Sequence, residues 1–281
     1  MLASGPLSTH AAELTRGERF GFGANWRRFL SLVDEERIAR AQASLASSLQ
    51  VPSLAGQRFL DAGCGSGLFS LAATRLGASV VSFDFDPESV ACAEELRARF
   101  ASGADWTIRE GSVLDAAFLE SLGAFDVVYS WGVLHHTGAM WTAMDLVASR
   151  VTAGGLLLVA LYNDQGRASR RWLRVKTAYN LLPGPLRSLV LLPSFAVLWG
   201  PRFALETLTF RPGAAWRSYA ATSRGMSPWR DVVDWVGGLP FEVARPEEVV
   251  AFGLQRGFEL RGLTTQGGGH GCNEFVFLRR V

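Results

Sequence analysis

A chain of 281 residues with 48% hydrophobic and 19% charged side chains carries enough apolar material for a full core, which excludes disorder over most of its length. That length fits one large α/β domain with an insertion better than two equal domains. The net charge of +2 is too small to mark a nucleic-acid binder, but it is unevenly placed: residues 163–245 hold twelve Arg and Lys against five Asp and Glu, a local +7, leaving −5 for the remainder.

The first dozen residues show no apolar period and read as loose. Phe20-Gly21-Phe22-Gly23-Ala24-Asn25-Trp26 is aromatic and glycine-rich, and reads either as a flap over a ligand or as packing against a sheet edge. A helix is predicted from Asp34 to about Leu49, because Leu32, Val33, Ile38, Leu45 and Leu49 recur near helical spacing and Val51-Pro52 stops the run. From there the pattern alternates: strand 58–62, helix from Leu68, strand 79–84, helix opened by Pro87-Glu88, strand 105–110, short helix near 115–121, strand 125–130, helix 140–150 and strand 155–162. Such alternation specifies βαβ units with right-handed crossovers, hence a doubly wound, mostly parallel sheet.

After Tyr162 the alternation breaks. Residues 163–245 hold five of the nine tryptophans and the run Leu182-Pro183-Gly184-Pro185, with helical periodicity, and read as an insertion. Its longest uncharged apolar run, Ser188 to Pro201, is shorter than the roughly 20 residues a spanning helix needs and contains Pro193, so it is not expected to cross a membrane. Alternation resumes with a helix opened by Pro246-Glu247-Glu248, strand 257–265, the loop Gln266 to Gly271 and strand 272–279, an antiparallel hairpin. Cys64, Cys92 and Cys272 have no metal-ligand spacing, so no metal centre is expected. Reduced cysteines without a signal peptide point to the cytoplasm.

Phe59-Leu60-Asp61-Ala62-Gly63-Cys64-Gly65-Ser66-Gly67 is the chain's strongest ligand signal, followed 17 residues later by Asp84. An apolar run stopping in three alternate glycines reads as a buried strand turning tightly into a helix, with backbone N–H groups facing outward. A Cβ would block both the turn and close approach of a ligand. The dinucleotide fingerprint needs a third glycine where this chain has Leu68, which disfavours a nicotinamide-dependent oxidoreductase.

This segment resembles the first motif of the class I S-adenosylmethionine-dependent methyltransferases, and Asp84 resembles their acid at the end of the second strand. The resemblance covers about 55–160 and 246–281, and implies a Rossmann-like seven-stranded sheet with an antiparallel C-terminal hairpin and a helical lid at 163–245, residues 1–54 forming a flap and helix. By that resemblance Asp61, Gly63, Cys64, Gly65, Ser66 and Gly67 hold the amino-acid part of S-adenosyl-L-methionine, Asp84 accepts hydrogen bonds from the ribose, and Phe85, Ser112, Val113 and Ser130 lie along the cofactor. The family usually has Asp in the place of Ser112 to meet the adenine amine; Ser112 or Asp115 is expected to take that bond. Tyr129-Ser130-Trp131-Gly132-Val133-Leu134-His135-His136-Thr137 is similar to a family segment in which a Leu-x-His pair lies beside the methyl group, matched here by Leu134 and His136.

His136 and His135 are therefore the candidate bases, since imidazole suits proton removal at neutral pH; His270 is a further candidate and Asp164 a weaker one. Trp131, Tyr162, Asn163, His270 and Asn273 are expected at the substrate. The expected acceptor is a small molecule, an oxygen nucleophile on an aromatic, lipidic or acidic compound. Leu181 to Phe210, flanked by Arg170, Arg171, Trp172, Arg217, Arg224, Trp229 and Arg230, would suit an apolar acceptor with an acidic group, and equally a helix resting on a membrane surface or an ordinary helical cap. No nucleic-acid partner is expected, and no Asn-Pro-Pro-Tyr type motif of amino-methylating enzymes is present. A cofactor-binding protein without turnover is the alternative reading.

Overall fold

The computed structural model describes residues 6–223, 226–267, 269 and 271–281. The chain enters through three helices, α1 (Pro6–Thr15), α2 (Phe22–Leu30) and α3 (Glu35–Leu49). The first of these replaces the loose segment expected there. The alternating region then lays down β1 (Arg58–Ala62), α4 (Leu68–Arg75), β2 (Ser79–Asp84), α5 (Pro87–Phe100), β3 (Trp106–Glu110), α6 (Ala116–Leu122), β4 (Phe125–Trp131), α7 (Met140–Ala148) and β5 (Val151–Tyr162). The insertion contributes α8 (Arg167–Leu181), α9 (Ser188–Leu208), α10 (Ala214–Thr222) and α11 (Pro228–Gly237), and the chain closes with α12 (Pro246–Gln255), β6 (Phe258–Thr264) and β7 (Cys272–Arg279).

Side-chain oxygens start several of these helices. Asp34, Asp86 and Asp115 each accept a backbone N–H from the first turn of α3, α5 and α6, satisfying donors that have no partner inside the helix. The central strands β1 and β4 are short apolar runs buried on both sides, while the edge strands β3 and β6 are partly exposed. Their period of two sends Phe59, Val80 and Val127 to one face, against Ile38, Leu45, Leu71 and Leu96. Leu60, Val128, Leu157 and Phe277 go to the other, against Met144, Val249 and Phe252. A sheet with helices on both faces results, in the order β3-β2-β1-β4-β5-β7-β6, with β7 antiparallel to its two neighbours. Strand order reverses between β1 and β4, which places a crevice beyond their carboxyl ends.

Two boundaries differ from expectation for physical reasons. β5 starts at Val151, before Gly154-Gly155, because the β4–β5 pairing shifts register between Phe125 and Val127 and lets the strand run through the glycines. α9 runs 21 residues, through Pro193 and Pro201, past the end of the apolar run. Gly184–Leu208 is by length and composition long enough to cross a membrane. One side of α9 is nevertheless committed to protein: Phe195 meets Trp216 and Trp229, and Trp199 meets Trp216 and Tyr219.

Candidate active site

A cavity of about 1060 Å³ opens beyond the carboxyl ends of the parallel strands, walled on one side by α1 and α2 and on another by α9, α10 and α11. That volume is at the upper end of small-molecule sites and has room for two ligands side by side.

At its base, β1 ends in Asp61 and turns through Gly63, Cys64, Gly65 and Ser66, all of which line the cavity. Gly63 has φ +86°, and a Cβ there would stand 2.3 Å from Val133 Cγ1; one on Gly65 would stand 2.8 Å from Trp26 Nε1. The glycines thus let Val133 and Trp26 close directly onto the turn, where side chains would push them away. Fewer amides face outward than the pattern implied: Gly63 and Cys64 donate to Phe83 O, Gly65 donates to Asp84 Oδ2 at 2.9 Å, and Gly67 donates to Cys64 O. Gly67 does not line the cavity. A Cβ there would meet Ala93 Cβ at 2.9 Å, so its role is close packing of α4 on α5, a correction to its expected cofactor contact.

Asp84 accepts from Gly65 N and Asp86 N, one on each oxygen, at 2.9 Å. Burial still pushes its pKa up, to about 6, with nearby Asp86 adding to the rise. Asp61 accepts the Ser70 hydroxyl at 2.6 Å, and burial together with Asp84 raises it to about 7. Burial and the same two carboxylates hold the Cys64 thiol in its protonated form. Two carboxylates and a glycine cradle on one wall suit a ligand rich in hydroxyl and ammonium donors. Phe85, Ser112, Val113 and Asp115 continue that wall. Ser112 Oγ accepts Leu114 N at 3.1 Å and keeps a second lone pair and its hydrogen, while Asp115 caps α6 by accepting Phe118 N.

Ser130 is a second correction. It is fully buried and donates to Ala62 O at 2.8 Å, tying β4 to β1 away from the cavity, while its neighbours Tyr129 and Trp131 face in.

The two histidines separate. His135 is fully buried, its ring 3.8 Å from the Tyr162 ring centroid and its Nδ1 3.3 Å from Tyr162 N; burial and neighbouring His136 hold its pKa well below the usual range. It does not line the cavity and supports Tyr162 instead, so the catalytic expectation for it fails. His136 does line the cavity. Its Nδ1 lies 2.6 Å from Pro240 O, which fixes the hydrogen on Nδ1 and leaves Nε2 as an acceptor. Burial, then Lys176, drives its pKa down to about 3.

Trp131 and Tyr162 line the cavity, but Asn163 and Asn273 do not. Asn273 Nδ2 donates to Asn163 Oδ1 at 3.0 Å, and Asn273 Oδ1 accepts Gln266 N, so the pair ties the hairpin loop to β5. Asp164 is occupied in a local turn to Gly166 N. His270 and Arg224 lie outside the described residues. Of the arginines expected to meet an acidic group, Arg170, Arg171, Arg217 and Arg230 all lie off the cavity wall.

The sequence reading offered a flap here but not the contacts that hold it. Asn25 Nδ2 donates to Asp234 Oδ1 at 2.8 Å, Gly23 N donates to Asp86 Oδ2 at 2.7 Å, and Arg19 Nη1 reaches His136 O at 3.0 Å with its guanidinium 5.0 Å over the Phe85 ring. The segment read as flap or edge packing therefore joins the glycine-turn side of the cavity to α11. Asp231 and Asp234, one turn apart on α11, both line the cavity; their i, i+3 spacing on an amphipathic helix was the available signal. Beneath them Lys176, the only lysine in the chain, is fully buried, donates to Trp235 O, and sits 4.6 Å from the Phe241 and 4.7 Å from the Trp235 ring centroids.

Residues 60–159 match the sequence profile described as Methyltransferase domain. A ubiquinone biosynthesis O-methyltransferase of Xanthomonas euvesicatoria is 38% identical over 110 residues, 39% of this chain and 45% of that protein. An uncharacterized Synechococcus protein is 32% identical over 140 residues, 49% of this chain and 33% of that protein. The chain thus spans half or less of the length of these curated relatives. In fold it is similar to magnesium protoporphyrin IX methyltransferase of Synechocystis bound to S-adenosylhomocysteine, with a TM-score of 0.52 at 16% identity, covering 91% of this chain and 93% of that one. The glycine turn, the paired carboxylates and the strand order sit within or beside these matches: residues 60–159 carry the sequence pattern of a methyltransferase domain, on a seven-stranded sheet of the fold seen in the magnesium protoporphyrin IX enzyme.

Proposed function

We propose that the protein transfers the methyl group of S-adenosylmethionine to an oxygen nucleophile on a largely apolar small molecule. The observation that carries this reading is the shared cavity: the wall of Asp61, Gly63, Gly65 and Asp84 and the His136 side line one space, with Trp131, Tyr162, Trp199 and Trp235 around it. When bound, S-adenosylmethionine supplies an activated methyl for in-line displacement. Asp84 holds the ribose, Asp61 and the glycine turn hold the amino-acid part, and Ser112 with Asp115 meets the adenine. Trp26, Phe22 and Arg19 close the roof and exclude water.

His136 aligns the acceptor hydroxyl. With a pKa of about 3 its ring is neutral throughout the physiological range, so Nε2 accepts a hydrogen bond from the nucleophile. A hydroxyl oxygen becomes strongly acidic as it gains a methyl group, so even this weakened base takes the proton late in the transfer. The apolar cavity favours an aromatic or lipidic acceptor over an acidic one, because Asp231, Asp234 and Glu274 rather than the insertion's arginines face it. A small molecule and not a nucleic acid is the partner, the insertion serves as the substrate lid and is the part placed to meet a membrane, and the compartment is the cytoplasm.

The test is twofold. Titration calorimetry should show binding of S-adenosylhomocysteine and none of NAD; the reverse would overturn the reading. In a screen of phenols, acids and lipids with S-adenosylmethionine, His136→Gln should lower turnover by about 10²–10⁴-fold at unchanged S-adenosylhomocysteine affinity. Equal turnover in the variant would return His136 to a structural role.

A further inference from the structure

The outer side of α9 is apolar and uncovered. Leu189, Leu192, Val197, Leu205 and Leu208 are between 57% and 78% exposed, and Phe210 just beyond the helix is 94% exposed. Pro193, Ala196, Pro201 and Ala204 lie among them, and Arg202 is the one exposed charge along a helix about 30 Å long. A water-facing strip of that size is unusual in a soluble domain and marks an interaction surface. In the sequence on either side of it the charge has one sign: residues 167–217 contain nine Arg and Lys, of which Lys176 is buried, and one acid, Glu206. That acid is turned inward, accepting Ala215 N and Arg202 Nε. Arg170, Arg171, Arg174, Arg202, Arg211 and Arg217 are all exposed.

We propose that α9 lies in the headgroup region of an anionic lipid bilayer, with its Leu189 to Leu208 face toward the acyl chains and the surrounding arginines on the lipid phosphates. This extends the membrane contact read for the insertion and does not rest on methyl transfer itself. The helix lies on the bilayer and does not span it, because Phe195 and Trp199 on its inner side are packed into the insertion's aromatic cluster and Leu198 and Trp199 reach the cavity. A second copy of the chain is the weaker occupant. A two-fold contact through this face would bring two strongly basic insertions together, whereas anionic lipid attracts each arginine by about fivefold in affinity.

The experiment is co-sedimentation of the whole chain with vesicles of phosphatidylcholine alone and of phosphatidylcholine with phosphatidylglycerol. Binding should require the anionic lipid, weaken in high salt, and fall at least tenfold in the Leu192→Asp/Leu208→Asp double variant. Calorimetry with S-adenosylhomocysteine, run on the same variant, should be unchanged and shows that it is folded. Absence of vesicle binding, equal binding to both vesicle types, or light scattering that shows a dimer dispersed by the double variant would each overturn the proposal. Vesicle binding by a chain that ignores S-adenosylhomocysteine would leave the docking standing and remove the methyltransferase reading instead.

Discussion

Replacing Asp84 by Asn separates the charge of this carboxylate from its shape. In the native chain each oxygen already accepts one backbone N–H, from Gly65 and Asp86, at 2.9 Å, which holds the glycine turn while leaving lone pairs for the ribose. Hydrogen bonds to an ionised acceptor contribute about 1.5–3 kcal/mol, so the Asn variant should lose about 10–150-fold in S-adenosylhomocysteine affinity at pH 7.5. The pH dependence is the sharper readout. With a pKa of about 6, Asp84 is about one-tenth ionised at pH 5 and about nine-tenths at pH 7. Donors on the ribose favour the ionised form, so native affinity should rise about tenfold between those pH values from Asp84 alone, while the Asn variant loses this step near pH 6 and keeps only the one that Asp61 adds near pH 7. Stability runs the other way. The folded pKa lies above the unfolded one, so the contribution of Asp84 to folding is full below the usual carboxylate range and lost as pH rises through about 6. Asp61, raised to about 7, is the control: Asp61→Asn should keep the step near pH 6. Calorimetric titration at four pH values decides it. An Asn variant within twofold of native affinity, or one that keeps the step, would refute the assignment.

Gly63→Ala should cost about 2 kcal/mol or more in thermal unfolding and abolish S-adenosylhomocysteine binding, since φ is +86° and the new Cβ would overlap Val133; a variant with native melting and affinity would show that the turn has slack. Lys176→Met removes a buried charge whose pKa burial lowers to about 7. Because that value lies below the unfolded one, native stability should rise by about 2–3 kcal/mol from pH 7 to pH 9 and the Met variant should lack this rise; parallel melting curves would show that Lys176 is not buried in solution. The same variant should move the His136 pKa upward, read by NMR titration, because Lys176 is one of the groups holding it down.

The sheet was legible because its central strands β1 and β4 are short apolar runs buried on both faces, and the cofactor wall because three alternate glycines between two acids have few other physical uses. Ser130 could have been placed correctly too: period two along β4 sends it away from the cavity that Tyr129 and Trp131 face. Asn163 and Asn273 misled because a polar side chain at a strand end reads as ligand-facing, and nothing local tells that two such residues, 110 apart, satisfy each other. The contacts that hold the flap in place were out of reach for the same reason. Gly23 meets Asp86 across 63 residues and Asn25 meets Asp234 across 209, and long-range polar pairs leave no periodic trace. The outcome at the histidines was set by one carbonyl, Pro240 O, which orients His136 while His135 disappears under Tyr162.

The burial of Lys176 gives the protein a built-in reporter. It is the only lysine side chain in the chain, so an acylating reagent has one side-chain amine to find, and in the closed molecule that amine is sealed between α8 and α11. The rate at which an N-hydroxysuccinimide ester modifies position 176, followed by intact mass and peptide mapping, therefore clocks the separation of those two helices without any engineered label. Slowing by S-adenosylhomocysteine would tie cofactor binding to closure of the insertion in a single native measurement.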